Sequence, residues 1–282
     1  LQPRDSSDSA ETFVTRTIPI EDVGIVVLDH RQITVTQGVL EKLLENGCAV
    51  ITCDSSHMPV GLLLPLSGHT VQNERFRSQI DSSVPLRKQL WQQTIQAKIA
   101  NQAAVLAYST GKEHNNMRAW SGQVKSGDSE NMEARAAAYY WKTIFPDNPD
   151  FLRGQFGDEP NGLLNYGYAV LRAVVARALV MSGLLPTLGI HHHNRYNAYC
   201  LADDIMEPYR PYVDRLVLGI IGEKGNLSLT QAAKVRLLSI PVIDVNIDGH
   251  ASPLMIAVST TTASLAKCFS GDSRKIVYPV MT

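Results

Sequence analysis

The sequence changes character near residue 70, and this change limits the architectures that the chain can adopt. Before that point, short β-branched segments alternate with turns, a pattern that predicts strands at residues 23–29, 33–35, 48–53 and 60–66. Between the second and third of these segments, Gln37–Glu45 carries leucines at helical spacing and is followed by Asn46 and Gly47, a frequent helix end. The first part of the chain is therefore predicted to be β-rich with one helix.

Beyond residue 85, helical patterns dominate. Pro85 suits the first turn of a helix, and apolar residues recur after it at helical spacing: Leu86, Leu90, Trp91, Ile95, Ile99 and Ala103. Further helical patterns cover residues 132–144, 163–182, 201–218 and 229–238, the last with Ser228 as its N-cap, and residues 241–249 alternate like a strand. These patterns predict an α+β protein with a small N-terminal β-rich domain (residues 1–69), a polar linker (70–84) and a larger helical domain (85–282).

Composition excludes several classes of protein. With 26 Lys and Arg against 27 Asp and Glu, the net charge of −1 provides no overall basic field, so any nucleic-acid site must be a local patch. The chain starts without an apolar signal sequence, and charged residues interrupt its most apolar stretch, 162–186, so we expect no membrane segment. The spacing of Cys48, Cys53, Cys200 and Cys268 fits neither a zinc ribbon nor a CxxC motif, so we expect reduced thiols and a cytoplasmic protein.

One acidic motif is better explained without a metal. Asp244, Asn246 and Asp248 match the first half of a calcium-binding loop, but the position that needs a bidentate Glu is Met255. Because these acids also follow the period of a strand, we expect a hairpin that turns at Asp248 and Gly249.

Three other stretches carry residues with catalytic potential. Glu133 opens an alanine-rich helix, three consecutive histidines (191–193) follow a glycine turn, and Asp204 and Glu207 lie three residues apart on one helix. Each has a structural explanation as well, since acids favour helix starts and most charged faces are only solvated. Two carboxylates and one imidazole form a ligand set that suits Mg²⁺ or Mn²⁺. A catalytic zinc held by the histidine triplet and one carboxylate is the alternative that the residues leave open.

The same stretches resemble CRISPR-associated protein one, the endonuclease and integrase of CRISPR adaptation, in the form found with type II systems. The resemblance extends over residues 17–29, 61–66, 88–106, 133–141, 161–171 and 183–214. The last stretch is the most specific, because it joins a GxxH turn to the motif DxMEPxRP. The resemblance implies that Glu133, His192 and Glu207 form the metal-binding and catalytic set, with Asp204 and His191 as candidates for an assisting role.

The resemblance also carries expectations about assembly and reaction. It implies a β-sandwich-like dimerisation domain, whose first strands are expected to precede Leu1, and a helical catalytic domain in which Ala134 replaces the usual glycine. Homodimers would flank a dimer of CRISPR-associated protein two, capture double-stranded prespacer DNA and insert it into the leader-repeat DNA by 3′-hydroxyl attack on a phosphodiester. The type II effector nuclease is a further candidate partner.

DNA contacts are expected from local basic and aromatic residues. Residues 108–125 are predicted to be a loop that presents Lys112, Arg118 and Trp120 to DNA. Arg195 and Arg210 flank the acidic helix, and Tyr166 belongs to one of the family-like stretches, so these three complete the predicted DNA-contacting set: Lys112, Arg118, Trp120, Tyr166, Arg195 and Arg210. A non-catalytic DNA-binding scaffold and a zinc hydrolase remain the alternatives to a metal-dependent integrase.

Overall fold

A computed structural model describes residues 17–148, 150–154, 157–224 and 227–281. The strands are β1 (Ile25–Leu28), β2 (Ala49–Cys53), β3 (Pro59–Leu63), β4 (Asp244–Ile247) and β5 (His250–Pro253). The helices are α1 (Gln37–Glu45), α2 (Gln72–Ile80), α3 (Val84–Thr110), α4 (Asn115–Gln123), α5 (Met132–Thr143), α6 (Asn161–Met181), α7 (Cys200–Met206), α8 (Arg210–Lys224), α9 (Gln231–Leu237) and α10 (Leu254–Ser270). The predicted α+β class is confirmed, and the helical part also contains the β4–β5 hairpin.

The first three strands form one mixed sheet. β1 runs parallel to β2, with Ile25 opposite Ala49, and β3 runs antiparallel to β2, with Val50 opposite Leu63. Helix α1 joins the two parallel strands and packs Leu43 against the sheet. A sandwich-like domain is predicted here, and the described N-terminal residues form this single sheet. Residues 1–16 lie outside the described part of the chain. The prediction of a strand at 33–35 is wrong, because these residues connect β1 to α1 without pairing with any described strand.

The predicted linker contains a helix that packs on the rest of the fold. Most of residues 70–84 belong to α2, whose buried Gln79 donates to the carbonyl oxygens of Leu185 (3.0 Å) and Leu188 (3.1 Å) and accepts from the Leu185 N–H (2.9 Å). Arg75 of the same helix donates to the Ser182 carbonyl at 2.7 Å. These tertiary contacts, rather than an apolar stripe, account for the helix, since helical stability in proteins comes mostly from packing. The division of the chain into two domains stays a prediction.

Helices α3 and α6 form the centre of the helical part. Ser83 caps the start of α3, and Gly111, with φ of 67°, ends it in the left-handed conformation. α6 is long and apolar enough to cross a membrane on those criteria alone, but 72% of its most apolar window is buried inside the fold. It is therefore best explained as a core helix, which agrees with the sequence interpretation.

Several predicted boundaries differ from the structure for local reasons. The pattern at 201–218 is split by a 3₁₀ turn, Glu207–Tyr209, because Pro208 and Pro211 cannot donate to a continuous helical ladder. The predicted loop at 108–125 contains the end of α3 and all of α4. Thr230, not Ser228, caps α9. The expected hairpin is confirmed, with positive φ at both Asp248 (51°) and Gly249 (80°).

A buried carboxylate ties the central helices together. Asp214 of α8 is 1% exposed and accepts hydrogen bonds from the hydroxyls of Tyr140 in α5 (2.7 Å) and Tyr168 in α6 (2.6 Å). Burial raises the pKa of Asp214 from its ordinary value to about 6, although the two tyrosine hydroxyls and nearby Arg210 act in the opposite direction. The folded protein therefore holds the Asp214 proton more tightly than the unfolded chain does.

This raised pKa predicts a pH-dependent effect of Asp214→Asn. The stability contributed by the proton is fully present below the unfolded pKa of Asp and is lost as pH rises through about 6. Relative to the Asn variant, the wild type should therefore lose up to ~3 kcal/mol of unfolding free energy between about pH 4 and about pH 7. Urea unfolding of both proteins at the two pH values measures this difference. The exposed Asp150→Asn is the control, and a difference that does not change with pH would contradict the prediction.

Candidate functional site

The start of α5 places Glu133 at the edge of a buried acidic site. The carboxylate of Asp128 accepts the backbone N–H groups of Met132 (2.8 Å) and Glu133 (3.0 Å), which fixes the first turn of the helix. Asp128 and Asn131 both have positive φ, 51° and 55°, so the chain turns sharply into α5. The side chain of Glu133 is 24% exposed, which leaves it accessible from solvent.

The second carboxylate, Glu207, lies on the 3₁₀ turn between α7 and α8. Its side chain is 5% exposed. Asn101, one turn beyond Lys98 on α3, donates to the carbonyl oxygen of Pro208 at 2.8 Å. The central helix therefore holds the turn from which Glu207 projects.

A lysine joins the two glutamates. The Nζ of Lys98 lies 2.6 Å from Oε1 of Glu133 and 2.6 Å from Oε2 of Glu207. Arg210 adds a second cation, with Nη2 3.1 Å from Oε1 of Glu207. Burial opposes the charge of Lys98, but the carboxylates raise its pKa above the ordinary value. Burial would likewise raise the pKa of Glu207, but Arg210 and Lys98 outweigh it and lower that pKa, so Lys98 and Glu207 both stay charged.

The histidine loop is organised around Asp204, which is fully buried on α7. Oδ2 of Asp204 accepts the N–H groups of Ile190 (2.7 Å) and His191 (3.0 Å), and Oδ1 lies 2.5 Å from Nδ1 of His192. A Cβ at Gly189 would come within 2.4 Å of the His192 carbonyl oxygen and 2.8 Å of Asp204, so only glycine fits this turn. The hydrogen bond to Asp204 raises the pKa of His192 and fixes its Nδ1, which leaves Nε2 as the nitrogen for a ligand.

The other two histidines have contacts of their own, although the His191 ring also lies edge-on to His192 with centroids 5.3 Å apart. The ring of His191 stacks on Trp91, with centroids 4.1 Å apart, and Nδ1 of exposed His193 lies 2.7 Å from the carbonyl oxygen of His192. His191 and His193 therefore each have a separate partner, and a zinc site on the histidine triplet stays a prediction. Asp204, whose oxygens are taken up by the loop, is a positioning residue for His192.

The donor set fits a hard divalent cation. Glu133 and Glu207 offer carboxylate oxygens, and Oε2 of Glu207 is buried with Nζ of Lys98 2.6 Å away. The charges of Glu133 and Glu207 also contribute to the raised pKa of His192, so the three side chains share one electrostatic environment. Within the described residues, no three His, Cys, Asp or Glu side chains already surround a single point. The two glutamates instead converge on Lys98.

A groove of about 520 Å³ opens beside His192. Its polar lining residues include Gln79, Arg87, His193, Asn194, Arg195 and Asn197. Arg195 is exposed and lies over the ring of Tyr196, which is itself 82% exposed. The predicted contact residue Arg195 therefore lies next to His192, whereas Arg210 is held by Glu207 and by the Tyr168 ring, 4.8 Å away.

The remaining predicted DNA contacts lie apart from this groove. Lys112 and Arg118 are exposed, and Arg118 pairs with Glu113 at 2.7 Å. Trp120 is half-buried, with Arg135 over its ring at 4.4 Å and Tyr139 against its edge. Tyr166 is 1% exposed and lies in the core, so the prediction that it contacts DNA is wrong.

Comparison with known proteins identifies the family. The sequence profile described as CRISPR associated protein Cas1 matches residues 8–231. The chain belongs to the Cas1 family. It is 36% identical over 254 residues to a "CRISPR-associated endonuclease Cas1" of Neisseria meningitidis serogroup C, spanning 89% of this chain and 82% of that protein. It is 28% identical over 270 residues to a "CRISPR-associated endonuclease Cas1 2" of Pyrobaculum aerophilum, spanning 89% of each chain.

Solved structures share the fold of this Cas1 protein. A casposase bound to integration product has a TM-score of 0.76 and 22% identity, covering 90% of this chain and 80% of that one. A CAS1 protein from Thermotoga maritima has a TM-score of 0.70 and 16% identity, covering 90% and 88%. A Cas6-RT-Cas1–Cas2 complex has a TM-score of 0.70 and 19% identity over 92% of this chain and 32% of that one.

Three residues of the site are absent from the sequence prediction or have a different role in it. Lys98 follows Ile95 by three positions and precedes Ile99, so it falls on the apolar stripe of α3. A lysine at such a position is expected to be buried, and a buried lysine needs a partner of opposite charge. Asp128 lies shortly before α5, where an acid commonly accepts the free N–H groups of the first helical turn. Asp204 was predicted as a possible ligand, but the structure places it behind His192.

Replacing Asp204 tests its positioning role. Asp204→Asn keeps the shape of the side chain but removes the charge and one acceptor oxygen, so the loop loses hydrogen bonds. We expect the pKa of His192 to fall and the unfolding free energy to drop by about 1–3 kcal/mol. Because a raised histidine pKa stabilises only below that pKa, the stability deficit should narrow as pH rises through it.

Imidazole NMR titration measures the pKa, and denaturant unfolding measures the stability. Asp203→Asn is the matched control, since Asp203 is also buried but pairs with Arg172 (2.7 Å) and accepts from Asn197 (2.7 Å) rather than from a histidine. An unchanged pKa of His192 in Asp204→Asn would contradict the assignment.

Proposed function

We propose that this Cas1 protein is a metal-dependent DNA endonuclease and integrase of CRISPR adaptation, which inserts prespacer DNA into the CRISPR array. The observation that carries the proposal is the convergence of Glu133 and Glu207 on one cation position beside an oriented His192. The Neisseria and Pyrobaculum relatives, named as Cas1 endonucleases, support the same class of reaction.

The chemistry follows from these ligands. Carboxylate oxygens of Glu133 and Glu207 and Nε2 of His192 would hold Mg²⁺ or Mn²⁺, which stabilises charge on a phosphodiester oxygen when bound. Asp204 keeps the imidazole of His192 oriented through Nδ1. The exposed edge of Glu133 and the half-exposed His192 face solvent, so a DNA phosphate can approach from that side. A 3′-hydroxyl held in line with the scissile bond would join prespacer and repeat without a covalent enzyme intermediate.

The partners of this chain are proposed from the molecules with which its relatives occur. A fold relative is bound to integration product and another occurs with Cas2, so we propose that this chain binds duplex prespacer and leader-repeat DNA and assembles as a homodimer with Cas2. The type II effector nuclease is a further candidate partner, given the Neisseria relative. Cys48, Cys53, Cys200 and Cys268 are free thiols, as the proposed cytoplasmic location requires.

Strand transfer tests the proposal. The protein, Cas2, Mn²⁺ and a labelled duplex with 3′-hydroxyl ends are mixed with a supercoiled plasmid that carries a leader and repeat. Joined product is expected with the wild type and not with EDTA, and His192→Ala and Glu207→Gln should each lose at least about 100-fold in rate. His250→Ala, an exposed histidine of the β4–β5 hairpin, is the control. Equal joining by His192→Ala would contradict the site, and DNA binding without joining by the wild type would favour a scaffold.

Salt dependence tests the groove as a phosphate contact. Arg195→Ala should weaken binding of duplex DNA and lower the slope of log Kd against log salt concentration by about one, because one phosphate contact is lost. Fluorescence anisotropy across a salt series measures the slope. Arg31→Ala, an exposed arginine after β1, should leave the slope unchanged. An unchanged slope in Arg195→Ala would place the phosphate contacts elsewhere.

A further inference from the structure

We propose that Lys98 is an internal counter-cation that holds Glu133 and Glu207 together in the metal-free protein and releases at least one of them when a divalent cation binds. The inference rests on the proposed function, because it concerns the same two carboxylates. It assigns a positioning role to a residue outside the proposed ligand set. Lys98 would set how tightly the site binds metal.

The geometry places the ammonium where a shared cation would act. Nζ of Lys98 is 2.6 Å from one oxygen of each glutamate, and its side chain is only 10% exposed. The ammonium therefore pairs with both carboxylates at the same short distance from a largely buried position.

The two glutamates need such a cation. Two negative carboxylates beside each other in a mostly buried site repel strongly, because little water screens them. Of the two acids, Arg210 pairs with Glu207, so the lysine is the cation that joins both acids among the residues described. Without Lys98 or a metal, the carboxylates would separate or one would take up a proton.

A bound divalent cation would compete with the lysine. The ion would bind oxygen atoms of the same carboxylates, and its charge would repel the ammonium at short range. Lysine is suited to withdrawal, because its compact charge sits on a flexible four-carbon stem. The lysine thereby preorganises the acids and lowers metal affinity at the same time.

Mn²⁺ binding and thermal unfolding of the DNA-free protein test this role. Lys98→Met keeps most of the stem and removes the charge, Lys98→Arg keeps the charge, and Lys88→Met is the matched change at an exposed lysine of α3. Electron paramagnetic resonance of free Mn²⁺ gives the affinity, and melting in EDTA or in saturating Mn²⁺ gives the stability. Each readout is independent of strand transfer.

We expect Lys98→Met to melt several degrees lower than the wild type in EDTA, and to recover most of this loss in Mn²⁺. Its Mn²⁺ affinity should be at least about tenfold tighter, since the competing charge is gone. Lys98→Arg and Lys88→Met should stay close to the wild type. If Lys98→Met is too unstable to purify, Lys98→Met combined with Glu133→Gln removes one positive and one negative charge and should restore the metal-free melting temperature.

The outcomes separate this inference from the proposed function. A wild type that binds no Mn²⁺ would overturn both. A wild type that binds Mn²⁺ while Lys98→Met binds it no more tightly would overturn the competition alone. An unchanged melting temperature of Lys98→Met in EDTA would overturn the counter-cation role.

Discussion

Charge compensation between the buried Lys98 and the glutamates Glu133 and Glu207 is the constraint on which the rest of this structure depends. The three side chains come from α3, from the first turn of α5 and from the 3₁₀ turn after α7. Each of these elements is fixed separately, α5 by Asp128 and the turn by Asn101. The long helix α3 is the common frame, since it supplies both the lysine and the asparagine. A buried cluster of this kind tolerates little displacement, because moving one charge leaves the others unpaired.

The histidine loop is attached to this frame through a second carboxylate. Asp204 gathers the N–H groups of the loop and the imidazole of His192, so the ring direction follows from the position of α7. The groove beside the loop is closed on one side by α2, whose Gln79 holds the segment that leads into the loop. The site therefore consists of the charged cluster around Lys98 and the hydrogen-bonded histidine loop beside it. Glu133 and His192 are its solvent-accessible side chains.

The sequence predicted the elements whose pattern is local. Helix α1 appears with the predicted bounds, and the hairpin at Asp248 and Gly249 follows from turn chemistry. α2 and the short segment at 33–35 could not be predicted, because their state is decided by tertiary contacts and by the availability of a strand neighbour. Helix α10 is rich in Ser and Thr, which have low helix propensity, and it packs against α6, so tertiary contacts support it.

The candidate site likewise combines residues that could be predicted with contacts that could not. The acids and the histidine were identified through a family resemblance that is most specific in residues 183–214, and family membership is confirmed by the profile match. The burial of Tyr166 and the separate contacts of His191 and His193 depend on which face of each element meets the core, which residue type alone does not determine. Lys98 could have been found, because a lysine on an apolar helical stripe requires a buried partner.

Anomalous diffraction from crystals grown with Mn²⁺ tests whether Glu133, Glu207 and His192 hold one metal ion. We expect one strong manganese peak about 2.0–2.3 Å from carboxylate oxygens of Glu133 and Glu207 and from Nε2 of His192. A manganese peak bound to other residues, or no peak in crystals that join DNA in the presence of Mn²⁺, would contradict it.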